Sequence, residues 1–242
     1  MLVEGLHLVE ESLVDGVRYD VVLVSSRLEA TEEGAMLREH LLRSGNPLIE
    51  ATEPVLESIS DAAGHQGVAG LAYKTVWKLE NMLPADRPAL LIVACGVQDP
   101  GNLGMIMRAA DASGATGVIA AGGTVCPYNS KCVRATMGSI FRMPVVEAAE
   151  ELHAIEELKE HKIAIVGTSL AGGLPHTEVN LRGPVAIVLG GEGGGLPALL
   201  LGVCDRTLRI PIRPAVESLN VAAAATVILY EAARQRKFEG LV

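Results

Sequence analysis

From Leu90 to the C terminus, strand-length apolar runs alternate with helical patterns, and that alternation leaves few architectures open. The runs are Leu90 to Val97, Gly117 to Ala121, Pro144 to Val146, Lys162 to Gly167, Val185 to Leu189 and Thr207 to Ile212. Helical segments over 102–112, 131–140, 148–160, 196–204 and 219–237 separate them. Strands alternating with helices build a mainly parallel sheet covered on both faces. Such sheets bind ligands beyond the carboxyl ends of their strands, where the chain turns into a helix. Three segments have that form: Asp99 to Arg108, Leu189 to Pro197, and Ile210-Pro211-Ile212 with Glu217 to Val221.

The first 75 residues carry a smaller alternation of their own. Helical stretches over 6–15 and 30–43 flank a strand at 21–25, and short strands follow at 47–50 and 68–73. Thr52 is a plausible N-cap for a helix over 54–63, which leads into Gly64-His65-Gln66-Gly67. Residues 76–88, with Pro84, Pro88 and several charges, read as a linker. The expected domains are therefore 1–75 and 89–242, within the one or two that 242 residues suggest.

Composition narrows the function. The net charge of −9 argues against a protein that grips nucleic acid by bulk electrostatics. Residues 1–75 hold 5 Lys/Arg against 13 Asp/Glu, whereas the remainder holds 15 against 16, so any contact with RNA must come from local arginine clusters. No run approaches the ~18 apolar residues of a membrane span, and no basic-then-apolar leader opens the chain, so a cytoplasmic location is expected. Cys95, Cys126, Cys132 and Cys204 form no Cys-x-x-Cys pair and are expected as reduced thiols, with no metal site. With two Phe and one Trp, base stacking on an aromatic platform is not expected to dominate any contact with RNA.

Each motif has a structural and a chemical reading. Asn102 and Arg108 open a helix, and with Asn102 near the cap its amide is fixed while Arg108 projects from a later turn. Gly190 to Gly195 follow a strand, where glycines admit a ligand close to the backbone, and Glu192 within that run has no structural reason to be there. The stretch Gly193 to Ala198 also satisfies Gly-x-Gly-x-x-Ala, which leaves dinucleotide binding as an alternative, although that fingerprint normally opens the first βαβ unit. Ser218-Leu219-Asn220 stands where the last strand turns into the last helix, and Ser218 is the expected N-cap. Lys131, Arg134 and Arg142 form the best candidate basic cluster, against a solvated helix face as the plain alternative. Thr168 ends a strand on the same sheet edge.

The order and spacing of the three segments resemble the SpoU (TrmH) family of RNA ribose 2′-O-methyltransferases, of the SPOUT superfamily, over roughly residues 90–238. Val3 to Glu11 and His65 to Val68 resemble the ribosomal-protein-like substrate-binding domain that often precedes that catalytic domain. The resemblance implies an α/β, SPOUT-type, mainly parallel sheet whose C-terminal segment is threaded into a trefoil knot, which sequence physics alone would not propose. It implies S-adenosyl-L-methionine as cofactor, with Thr168, Leu189, Gly190, Gly193, Ile210, Ile212 and Leu219 around it. Arg108, Asn102, Glu192, Ser218 and Asn220 are implied on the acceptor side, with Arg108 catalytic, and Lys131, Arg134 and Arg142 as RNA contacts. The implied substrate is structured RNA, ribosomal (23S) rather than transfer RNA. A transfer-RNA enzyme, a resistance-type enzyme and an inactive RNA-binding protein remain as alternatives. A homodimer is expected, because residues 219–230 are apolar nearly all round and such a helix is normally buried on more than one side.

Overall fold

The computed structural model describes residues 1–60 and 65–241. Packing divides the chain into two units: Met1–Val76 with Tyr128–Arg142, and Trp77–Pro127 with the residues from Met143 onward. The smaller unit runs through β1 (Leu2–Glu4), α1 (Leu6–Val14), β2 (Tyr19–Val24), α2 (Glu32–Arg43), β3 (Leu48–Glu50), α3 (Glu53–Ile59) and β4 (Val68–Ala72). Its sheet order is β1-β4-β2-β3, with β4 antiparallel to both neighbours and β2 parallel to β3. Thr31 caps α2 by accepting from Gly34 N at 3.1 Å, which explains why this charged helix starts after it rather than at Ala30. Gly70 lets the Tyr19 ring lie flat across β4, since a Cβ there would meet that ring at 2.5 Å. Residues 61–63 of the expected helix over 54–63, and Gly64, lie outside the described residues.

The larger unit runs through β5 (Leu90–Cys95), α4 (Pro100–Ala112) and β6 (Gly117–Ala121). The chain then passes through α5 (Ser130–Thr136) and α6 (Ser139–Arg142), which belong to the smaller unit. It resumes with β7 (Val145–Ala148), α7 (Glu151–Glu160), β8 (Ala164–Thr168), β9 (Leu174–Pro175), β10 (Val185–Gly190), α8 (Ala198–Val203), β11 (Arg206–Arg209) and α9 (Val221–Gln235). The sheet order is β7-β6-β5-β10-β8-β11-β9, and every pairing is parallel. From β5 the chain steps outward to β6 and β7, then crosses to β8 and returns to β10 beside β5. That reversal opens a crevice at the carboxyl ends of the central strands. β5 and β10 are buried along their whole length, as a sheet covered on both faces requires.

Several sequence expectations are corrected by packing. Residues 77–88 are no free linker: Leu79 and Met82 are buried in the larger unit's core. Met82 sits so close over β6 that a Cβ on Gly117 would meet it at 2.5 Å. The helix expected over 131–140 breaks into two, because Met137 (φ 50°) and Gly138 (φ 97°) are left-handed. Cys126 is exposed, unlike buried Cys95 and Cys132. The last helix starts at Val221, and its cap is Asn220 rather than Ser218. Both buried sides of α9 find cover within this chain, on the sheet and on α4.

The insertion of α5 and α6 decides where the expected RNA contacts go. The Arg134 guanidinium pairs with Glu4, buried at the end of β1. Arg142 lies 3.3 Å from both Glu11 and Asp15 at the end of α1. Gly138 packs on the Glu11 side chain, which a Cβ would meet at 2.9 Å. Lys131 is exposed, but the two arginines hold acidic partners inside their own unit, so the three do not make an open basic patch.

Candidate active site

In the larger unit, the glycine run after β10 is built in two halves. Gly191 pairs with Gly195 in a β-bridge, so the loop folds back on itself. A Cβ on Gly190 would meet the Gly195 carbonyl carbon at 2.1 Å, and one on Gly191 would meet Gly96 O at 2.2 Å. These two glycines are required by the fold of the loop. Gly193 and Gly194 have nothing within 4 Å of a built Cβ, so their bareness leaves space open instead of serving packing.

That space is a cavity of about 660 Å³ at the carboxyl ends of β8, β10 and β11. Thr168, Leu189, Gly190, Gly193, Ile210, Ile212 and Leu219, the whole expected cofactor set, line it, together with Glu192, Ser218 and Asn220. Thr168 Oγ1 donates to Val188 O at 3.1 Å and ties β8 to β10 at the cavity floor. Ser169, which follows Thr168 at that strand end, lines the cavity too, whereas Leu170, Ala171 and Arg209, also in its lining, were not expected from the sequence. Gly172-Gly173 directly after a strand was the available signal. A Cβ on Gly173 would meet Thr207 O at 2.5 Å, and Arg209 Nε donates to Gly173 O at 3.2 Å.

Asn102 and Arg108 are not among the lining residues, and α4 carries them differently from the expectation. Its cap is Asp99, whose Oδ1 accepts from Asn102 N at 2.9 Å. The Asn102 side chain is thereby free for a polar relay. Asn220 Oδ1 accepts from Ala222 N (2.9 Å) and Ala223 N (3.2 Å) at the start of α9, which leaves its Nδ2 to donate to Asn102 Oδ1 at 2.9 Å. Asn102 Nδ2 must then face Glu192, and it donates to Oε1 at 2.8 Å. Glu192 also accepts from Gln98 N (3.3 Å) and Asp99 N (3.4 Å). Burial opposes its ionisation, but Asn102 and these backbone N–H groups outweigh burial and hold the carboxyl below the ordinary range near 4.5. Three motifs far apart in sequence thus converge on one carboxylate held ionised. Arg108 is exposed on α4, and its guanidinium has no hydrogen bond or ion pair among the described residues.

A parallel α/β sheet with an open cavity at its strand ends, bordered by this relay, has the ligand site that such sheets build where strands turn into helices. The chain belongs to the SpoU rRNA methylase family, which it matches over residues 89–230, and residues 1–70 match an MRM3-like substrate-binding domain. It is 34% identical over 95% of its length, and 86% of the relative's, to the 23S rRNA (guanosine(2553)-2′-O)-methyltransferase RlmP of Bacillus subtilis. It is 37% identical to the 23S rRNA (guanosine-2′-O-)-methyltransferase RlmB of Xylella fastidiosa, over 83% of this chain and 82% of that one. Among solved structures, the SpoU methyltransferase AviRb from Streptomyces viridochromogenes in complex with AdoMet superposes with a TM-score of 0.89, at 28% identity, covering 98% of this chain and 90% of that one. These matches remove the dinucleotide alternative for Gly193 to Ala198, which follows β10 late in the sheet and not its first strand.

Proposed function

We propose that this protein transfers a methyl group from S-adenosyl-L-methionine to a ribose 2′-hydroxyl of 23S ribosomal RNA. The observation that carries this reading is the single cavity that gathers the expected cofactor residues beside the Asn220–Asn102–Glu192 relay. The residues fit the donor: the cavity has room for more than a nucleoside, leucines and isoleucines line it beside polar groups, and Gly193 and Gly194 leave its wall bare. When bound, the donor supplies a sulfonium-activated methyl for in-line displacement. The protein must then position the acceptor and help its hydroxyl lose a proton, and positioning alone is worth up to about 7–11 kcal/mol. Arg108 remains a cation, because a guanidinium keeps its proton in proteins. It acts by binding the phosphate beside the target ribose and turning the 2′-oxygen toward the methyl. Glu192 is a poor proton acceptor, since its low pKa and three donors favour the carboxylate. Its work is to latch the Gln98–Asp99 turn and orient Asn102. The proton passes to the target phosphate or to water.

Support for ribosomal over transfer RNA comes from relatives that match through both units and are named as 23S enzymes. Family membership also carries the knotted C-terminal segment. In its favour, Ile210, Ile212 and residues 217–220 line one cavity with the glycine loop, and α9 returns to pack on α4. A homodimer is favoured by an uncovered face on these two helices, where Met105, Val227 and Tyr230 are 54%, 39% and 44% exposed next to Arg108. No described helix is long and apolar enough to cross a membrane, and a ribosomal substrate implies a cytoplasmic location. Labelled donor incubated with 23S, 16S and transfer RNA, with mapping of the modified ribose, tests the reading. Methylation of transfer RNA alone, or of none, overturns it. Light scattering at micromolar concentration tests the dimer.

A further inference from the structure

A second cavity, of about 300 Å³, lies in the larger unit at the opposite end of the sheet, at the amino ends of β5 and β10. β10 separates it from the donor cavity by its own length, about 17–20 Å at the strand rise. Arg87, Arg182, Arg236 and Lys237 line it, with Glu239 as the one carboxylate. Arg236 is held by backbone carbonyls, with Nε donating to Leu181 O (3.0 Å), Nη1 to Pro88 O (2.7 Å), and Nη2 to Ala89 O (3.1 Å) and Gly183 O (2.7 Å). It clamps the loops that enter β5 and β10, and it brings a half-buried charge with no ion-pair partner among the described residues. Its pKa is lowered, first by burial and then by the Arg87 charge.

Arg87, Arg182 and Lys237 clamp nothing. Their side chains make no hydrogen bond or ion pair among the described residues, and all three are exposed. Like charges gathered in one concavity repel, so their placement is unfavourable in the free protein and becomes favourable around an anion. Ser113 and Gln235 add polar groups to the lining, and Leu90, Leu241 and Phe238, which is 46% exposed, give it an apolar side. Cations beside an apolar wall with one open aromatic ring match a nucleotide, its phosphate on the arginines and its base on the ring.

We propose that this cavity is a second RNA contact, which takes a nucleotide of the same ribosomal RNA strand some 20 Å from the methylated ribose. The inference rests on the proposed RNA methylation. It assigns the protein's grip on RNA to unpaired arginines remote from the reaction. A free nucleotide shares this chemistry, and the test separates the two sources. Full-length protein is titrated into a fluorescent single-stranded oligoribonucleotide of about twelve nucleotides over a range of salt, and separately with adenosine monophosphate. In R87E/R182E, oligoribonucleotide affinity should fall about tenfold or more, and the slope of log affinity against log salt should drop by about 1.4, the value for two single-strand phosphate contacts. Donor binding by calorimetry should not change. R87Q/R182Q, which removes charge without reversing it, should lose the same slope with a smaller loss of affinity. Unchanged affinity and slope in both variants overturn the inference, as does Arg87-dependent binding of the mononucleotide with RNA binding unaffected. Absence of ribosomal RNA methylation by the wild type would instead strike the proposed function.

Discussion

The two units treat their arginines in opposite ways. In the smaller unit, five of six arginines (Arg27, Arg38, Arg43, Arg134 and Arg142) are ion-paired, and Arg18 is the exception among the described residues. In the larger unit, Arg234 alone of eight is ion-paired among the described residues, with Glu231 at 2.8 Å. The net charges differ little: the smaller unit holds 8 Lys/Arg against 13 Asp/Glu, the larger 12 against 16. Net charge is therefore a poor guide to where an acidic protein meets RNA. A paired guanidinium is already neutralised and hydrogen-bonded, whereas an unpaired one can exchange counterions for phosphates. On the proposed function, this contrast assigns the charged contacts with RNA to the larger unit and leaves the smaller unit to select RNA by shape.

Arg108 is the sharpest place to break that contrast. Arg108→Ala should lower turnover by about 10²–10³-fold, the scale of losing one well-placed electrostatic group, with donor affinity unchanged by calorimetry. Arg108→Lys should not restore the rate, because a lysine lacks the planar fork that orients a phosphate. Near-normal turnover in either variant would reduce Arg108 to a solvated helix residue.

The glycine loop should separate fold from function within a few residues. Gly193→Leu should abolish donor binding while the thermal midpoint stays within a few degrees, because the new side chain points into open space lining the cavity. Gly190→Ala should destabilise the protein itself, since its Cβ would have to occupy the backbone of Gly195 and Leu196. The reverse pattern in a melting and binding comparison would mean the loop is rebuilt when the donor enters.

Arg134→Ala probes the smaller unit. It strands the buried Glu4 carboxylate, whose Oε2 already has no partner among the described residues. The expected loss is about 3 kcal/mol, the low end for breaking a buried pair, since Arg134 is itself partly exposed. Urea unfolding measures it, and the salt slope of RNA binding should stay as in the wild type. A reduced slope with normal stability would return Arg134 to the RNA contacts. Truncation is expected to be harsher: deleting residues 1–75 uncovers Cys132, Val133, Ile140 and Phe141 on α5 and α6. Such a fragment should aggregate unless 128–142 is removed as well.

The smallest effect concerns pH. Glu192 is held below the ordinary carboxylate value near 4.5, so its contribution to the site is complete above that pH. The contribution is lost only as the pH falls through its lowered folded value. Donor affinity should therefore stay flat from about pH 7 to 5 and decline under more acidic conditions. A transition centred well above 4.5 would show that burial, and not the relay, governs the ionisation of Glu192.

Much of the larger unit was legible because its central strands β5, β6 and β10 are buried on both faces and so read as continuous apolar runs, and because strand ends with glycine or polar residues mark ligand sites in such sheets. The pattern marked the sheet edge, the family resemblance named the cofactor residues on it, and all seven line one cavity. The pairing of distant side chains was not legible. Nothing local in Arg134 or Arg142 announces that Glu4, Glu11 and Asp15, more than a hundred residues earlier, will hold them. Nothing in Asn102 tells that Asp99 caps its helix and frees its amide for Glu192. Periodicity along the chain determined the parallel sheet, the two alternating regions and the edge where the chemistry sits. Tertiary structure alone decided which charges are spent inside and which remain for a ligand, because an ion pair depends on distance in space and sequence separation carries no record of it.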